Sequence, residues 1–124
     1  MAPARFRPHE RINRPEDFRR AFDRRRSASD AAMVVYGVEN GRGYTRLGIS
    51  ISRKKAKTAV ARNRIKRIIR EAFRLSKSDL PPGFDLVIVP RGPNLTFAEA
   101  RRSLPSLARA VARRLGQPSA KPST

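Results

Sequence analysis

Apolar residues along this chain follow two rhythms, and the switches between them mark out its elements. Leu47, Ile49 and Ile51 alternate with Arg46, Gly48 and Ser50, the two-residue period of a strand with one buried face. Met33-Val-Val-Tyr-Gly-Val38 is β-rich, and Phe84-Asp-Leu-Val-Ile-Val89 is a nearly continuous apolar run that suits an interior strand. Glu39-Asn-Gly-Arg-Gly43 separates the first two runs with turn-forming residues. It predicts an antiparallel hairpin that pairs 33–38 with 44–52.

Elsewhere the period lengthens to that of a helix. Ala61, Ile65, Ile68, Ile69, Ala72, Phe73 and Leu75 make an apolar stripe over 58–76. Thr96-Phe-Ala-Glu99 is a capping box that opens a last helix reaching to Leu115. Leu104, Leu107, Ala108, Val111 and Leu115 share one side of it, and Pro105 is expected to bend or break it. A first helix is predicted over Pro15–Arg25. Asn13 is its candidate cap, Glu16 and Asp17 suit its positive end, and Phe18 and Phe22 share a face. The run Arg24–Ser29 should break that helix.

The element order is α-β-β-α-β-α. It predicts an α+β fold, a two-layer sandwich with three or four strands in a small central sheet and helices packed on one face. A single domain over 1–124 is expected, ordered over about 9–115. Residues 1–12, rich in Pro and Arg, are expected to lie extended over the surface, and the ends 1–8 and 116–124 to be extended or loose tails.

Charge changes the picture. Lys and Arg total 29 against 10 Asp and Glu, for a formal net charge of +19. Nine Lys or Arg fall between Ser52 and Phe73, against Glu71 alone. Arg62, Lys66, Arg70 and Arg74 recur every four residues beside the apolar stripe, and Arg64 and Arg67 lie on an adjacent arc. Arg53, Lys54, Lys55 and Lys57 extend the patch upstream. A merely solvated helix face mixes both signs. This one does not, which points to a polyanion and best to nucleic-acid phosphates, with Asn63 able to bond phosphate, sugar or base. Phe18, Phe22 and Tyr36 admit two readings: ordinary core packing, or rings on which unpaired bases stack.

Other chemistry finds little support. There is no Cys, and His9 is the one His, so zinc sites built on Cys and His are excluded. No disulfide is possible, no run is apolar and long enough to span a bilayer, and Met1–Pro8 lacks a secretory apolar segment. These features are those of a cytoplasmic protein. The acids are scattered rather than clustered as in a two-metal nuclease. Gly41, Gly43 and Gly48 fit no phosphate-loop spacing. No catalytic residue and no metal ligand is expected in the protein itself.

The run Ala61-Arg-Asn-Arg-Ile-Lys-Arg-Ile-Ile-Arg-Glu-Ala-Phe-Arg74 closely resembles the protein component of bacterial ribonuclease P. Arg11–Phe18 with Phe22 is similar to that family's first helix, Leu47–Lys54 to its strand before the signature, and Asp85–Arg91 to its last strand. The resemblance covers residues 9 to 115. It implies an α+β domain with a left-handed β-α-β crossover. The implied activity is that of a ribonucleoprotein endoribonuclease that removes the 5′ leader of precursor tRNA. A catalytic RNA subunit with Mg²⁺ does the chemistry, and no stable protein partner is implied. By the same resemblance Arg53, Lys54, Arg62, Asn63, Arg64, Lys66, Arg67 and Arg70 contact RNA. Phe18, Phe22, Val34 and Tyr36 line a cleft for the single-stranded leader. Arg24-Arg25-Arg26 stands where relatives commonly carry a Gly, so the exit of the first helix is expected to differ. Composition alone is equally consistent with a structural RNA-binding protein, such as a small ribosomal protein.

Overall fold

Strand β4 (Phe84–Pro90) decides the architecture. Leu86, Val87 and Ile88 are each at most 1% exposed, so both of its faces and both of its edges are covered. It lies between β2 (Met33–Glu39), which is antiparallel to it, and β3 (Arg46–Ile49), which is parallel to it. A short strand, β1 (Ser27–Ser29), adds to the far side of β2, for a spatial order of β1-β2-β4-β3. The computed structural model describes residues 6–116; of the tails expected at 1–8 and 116–124, residues 1–5 and 117–124 lie outside the described residues.

The predicted hairpin between residues 33–38 and 44–52 does not form. Both strands exist, but β4 is inserted between them. An Asn-Gly turn, with Gly41 at φ 68°, lifts the chain off β2, and the Asn40 amide donates to the Gly83 carbonyl at 3.0 Å. Local turn chemistry gave the reversal correctly. The gain from burying a doubly apolar strand decided the pairing.

Alternation along β2 and β4 sends apolar side chains to both faces of the sheet. Met33, Val35, Leu86 and Ile88 join the larger core with α2 (Ala59–Ser76) and α3 (Phe97–Leu115). Val38 and Val87 join Ile12 and Ala21 in a second cluster under α1 (Pro15–Arg24). Helices on one face therefore describes α2 and α3 only. The first helix covers the opposite face, because that face too is apolar.

Helix ends follow local rules with two exceptions. Thr58 caps α2, accepting from the Ala61 amide at 3.0 Å, and the Thr96–Glu99 capping box opens α3. Asn13 does not cap α1. Arg14 holds that position with no side-chain bond; Pro15 in the first turn lacks an N–H, and the Asp17 and Phe18 amides reach the Arg14 carbonyl. Pro105 neither breaks nor ends α3; it is buried inside a helix that runs on to Leu115. Leu75, read as part of the α2 stripe, is 40% exposed, since it lies about 100° round the helix from the stripe's centre.

Residues 10–12 of the segment expected to lie extended are docked against the fold, with Arg11 extended along the sheet edge. Arg11 bridges Leu47, and the Ile12 amide donates to the Leu47 carbonyl at 2.9 Å, which covers the edge of β3. Glu10 is 4% exposed and pairs with Lys77 Nζ at 2.8 Å, tying this segment to the end of α2.

One carboxylate binds these pieces together. Asp85, 0% exposed, takes Arg46 Nε at 2.8 Å and Arg46 Nη2 at 2.6 Å. It also accepts from Asn40 Nδ2 at 3.0 Å and Arg20 Nη2 at 3.1 Å. Burial pushes its carboxyl up, but the bonds from Arg46 and Asn40 and the charges of Arg46 and Arg20 more than offset this, leaving it below its ordinary value. Asp85→Asn should lower stability by about 3 kcal/mol or more at neutral pH, because Arg46 keeps a buried charge without its counter-ion. With the folded pKa depressed, the contribution is full above the unfolded value of about 3.9 and drains as pH falls through the lower folded value. Urea midpoints for the two proteins should accordingly converge below about pH 4.

The exit of α1 takes the left-handed cap common at helix ends, but with an arginine in the place glycine favours. Arg25 sits at φ 58°, ψ 26°, the left-handed region, as the C-cap. Arg25→Gly should raise stability by about 0.5–1 kcal/mol, since glycine takes this conformation without the Cβ clash and only part of that gain is offset by losing a cation from the helix C-terminus. An unchanged or lower urea midpoint would show that the Arg25 side chain contributes more than its backbone costs.

Candidate nucleic-acid interface

Helix α1 has few apolar residues, and that scarcity opens a cleft. Its sequence PEDFRRAFDR offers only Phe18, Ala21 and Phe22 to the sheet. These bury Val38 and Val87 but leave Val34, Tyr36 and Val89 half-buried beyond the helix. Phe22 and Tyr36 meet edge to face, with ring centroids 4.8 Å apart at 72°. Phe18 lies over β3 at Gly48, where a Cβ would come within 2.9 Å of its ring. A side chain at that position would displace the ring.

The four residues expected in a cleft are therefore on one sheet face. Phe18, Phe22, Val34 and Tyr36 are all half-buried, so the rings pack in part against the sheet and keep part of their surface accessible. Val89 was missed, although it pairs with Val34 and continues the alternation from Val87. That alternation was the signal that could have found it.

The basic residues of α2 occupy the other side of the sheet's edge. Arg53, Lys54, Asn63, Arg64 and Arg67 are exposed, and Arg62, Lys66 and Arg70 are half-buried along the helix flank. Arg74 pairs with Glu71 at 2.7 Å. Bonding to Arg74 draws the Glu71 carboxyl below its usual value. Arg62 is partly structural: its Nη1 donates to the carbonyls of Ala56 at 3.0 Å and Lys57 at 3.3 Å, which fixes the loop before α2. Its other N–H donors are available to a ligand. Arg64 lies about a third of a turn from Arg70 and belongs to a separate flank.

Cleft and cationic flank meet at β3. A groove of about 220 Å³ there is lined by Phe18 from α1, Leu47, Gly48 and Ile49 from β3, and Lys66 and Arg70 from α2. Phe6, Arg11 and Asn13 complete it. None of these three was named from sequence as an RNA contact, Asn13 having been read only as a helix cap; the apolar Ile12 amid charged neighbours, which also lines the groove, was the hint that the segment docks. A second basic pocket holds Lys54, Lys55, Lys57 and Arg91 around the start of α2. No group of three His, Asp or Glu among the described residues is placed to hold a metal ion, and no described helix is long and apolar enough to cross a membrane.

The arrangement suits a polyanion that combines flat, stackable groups with a charged backbone, as single-stranded nucleic acid does. Comparison with known proteins points the same way. The ribonuclease P family model matches residues 6–112. The ribonuclease P protein component of Thermotoga petrophila is 43% identical over 86 residues, covering 69% of this chain and 73% of that one. Its counterpart from Clostridioides difficile is 34% identical over 99 residues, covering 77% and 86%. The solved structure of the Thermotoga maritima RNase P protein superposes with a TM-score of 0.72 at 36% identity, covering 81% of this chain and 96% of that one. With fold and sequence agreeing over this span, the chain belongs to the ribonuclease P protein family, the protein subunit of a ribonucleoprotein endonuclease that works with an RNA partner.

Proposed function

We propose that this subunit serves the removal of the 5′ leader from precursor tRNA, holding the leader in the cleft while the RNA subunit carries out phosphodiester hydrolysis. The observation that supports this most is the meeting, along one sheet edge, of a half-covered aromatic face with a cationic helix flank. Phe18, Phe22, Val34 and Tyr36 would take unpaired leader nucleotides by stacking and apolar contact. Arg53, Lys54, Asn63, Arg64, Lys66, Arg67 and Arg70, with the free donors of Arg62, would take phosphates of the RNA partner and substrate. The working unit is the whole chain as one RNA-binding domain, acting in the cytoplasm.

The protein's contribution in this reading is electrostatic and positional. Two RNAs repel each other, and a +19 chain between them lowers that repulsion. Mg²⁺, the ion such hydrolysis calls for, would be held by the RNA and not by this chain, whose described residues offer no fitting donor set. Neither nucleophile nor general base is assigned to the protein.

Reconstitution with a bacterial catalytic RNA at low Mg²⁺ tests the proposal. Mature tRNA ends should form with both components present and with neither alone. Cleavage by the protein without RNA, lost on substituting one acidic residue, would overturn it. Arg67→Ala should weaken RNA binding and flatten the plot of log K against log salt by about one unit, the value for one phosphate contact. An unchanged slope would place Arg67 off the interface.

A further inference from the structure

Two grooves converge where the N-terminal segment crosses the edge of β3. One holds Phe18, Gly48, Lys66, Arg70 and Arg11. The other, wider and about 690 Å³, runs along α2 past Asn63 and Arg67, and it shares Phe6, Arg11 and Arg70 with the first. These three residues therefore stand at the junction.

Arg11 is held in place rather than left to swing in solvent. Its backbone bridges Leu47. Its guanidinium carbon lies 4.9 Å from the centre of the Phe6 ring, and Phe6 meets the buried Phe73 edge to face at 5.4 Å. Arg70, half-buried on α2, has its pKa lowered by burial first and then by the charge of Arg11. Two guanidiniums thus line the same grooves within range of each other's charge. No carboxylate lines the first groove, and Glu71 in the second is gripped through both oxygens by Arg74. Like charges held together in a partly desolvated corner are unfavourable unless an anion joins them.

We propose that Arg11 and Arg70, with Lys66 beside them, clamp a single phosphate at the bend where single-stranded RNA leaves the cleft next to Phe18 and turns onto α2. The proposal rests on reading the cleft as the path of the leader, and it adds a residue, Arg11, that lies outside the helix signature. Phosphate is the matching group because two guanidinium forks can each take a pair of its oxygens.

A shared phosphate makes a prediction that two separate contacts do not. With the full chain and a single-stranded oligoribonucleotide, Arg11→Gln and Arg70→Gln should each raise Kd by about tenfold. The double variant should be little worse than either, and all three should lose about 0.7 of a unit of salt slope rather than twice that. In the wild-type chain, inorganic phosphate should shift the Nε–H signals of Arg11 and Arg70 together, with one Kd. Additive losses, a doubled slope change, or phosphate shifts at only one of the two arginines would overturn the clamp. Urea midpoints of the variants exclude a folding defect as the cause. Failure to support tRNA processing with coupled phosphate shifts intact would count against the function proposed above and leave the clamp standing.

Discussion

The buried carboxylate of Asp85 is the contact on which the rest of the molecule depends. It lies at the head of the central strand, on the face that carries the cleft. Through Arg46 it joins β4 to β3, through Asn40 it fixes the crossing loop, and through Arg20 it reaches α1. Asp17, also on α1, lies 3.5 Å from Arg46 Nη2 and closes the group. Ion pairs of this kind add little net stability, because removing both charges from water costs about as much as their attraction returns. Their effect here is positional. A sheet whose neighbours in sequence are not neighbours in space needs something to set its order, and a charge that must be satisfied allows few alternatives.

The position of α1 follows from that network, and the cleft follows from α1. One face of the sheet is fully covered by two long helices. The other is apolar enough to need a cover but receives a short helix with three apolar residues. The uncovered part stays half-buried, with ring edges and faces open beside the strand edge. A longer apolar stripe on α1 would have made a better core and left no cleft.

The few acids are engaged where the fold needs them. Glu10 anchors the N-terminal segment through Lys77, Asp30 accepts the Ala32 and Met33 amides, Glu99 closes the α3 capping box, and Glu71 holds Arg74. Several cations also do structural work through backbone oxygens: Arg62 before α2, Arg109 at the Asp79 carbonyl, and Arg114 at the Ser27 carbonyl. What the acids leave open is the flank of α2 that faces the β3 edge. The excess of positive charge is therefore general in composition but local in its consequence.

Helices with caps and long stripes were legible because their determinants lie within a few residues of one another. The α2 stripe, the Thr96–Glu99 box and the basic signature all belong to this class. So did the interior character of residues 84–89, where an unbroken apolar run needs cover on both faces. Sequence order could not show that β4 would enter between β2 and β3. That choice compares burial summed over the sheet with the ease of closing one turn, and the larger total prevails. Nor could it show that α1 would cross to the opposite face, or that Arg11 and Arg70, far apart in the chain, would line one groove. Charge and periodicity are properties of a segment, whereas a cleft and a shared anion site are distances between segments, and only packing sets those.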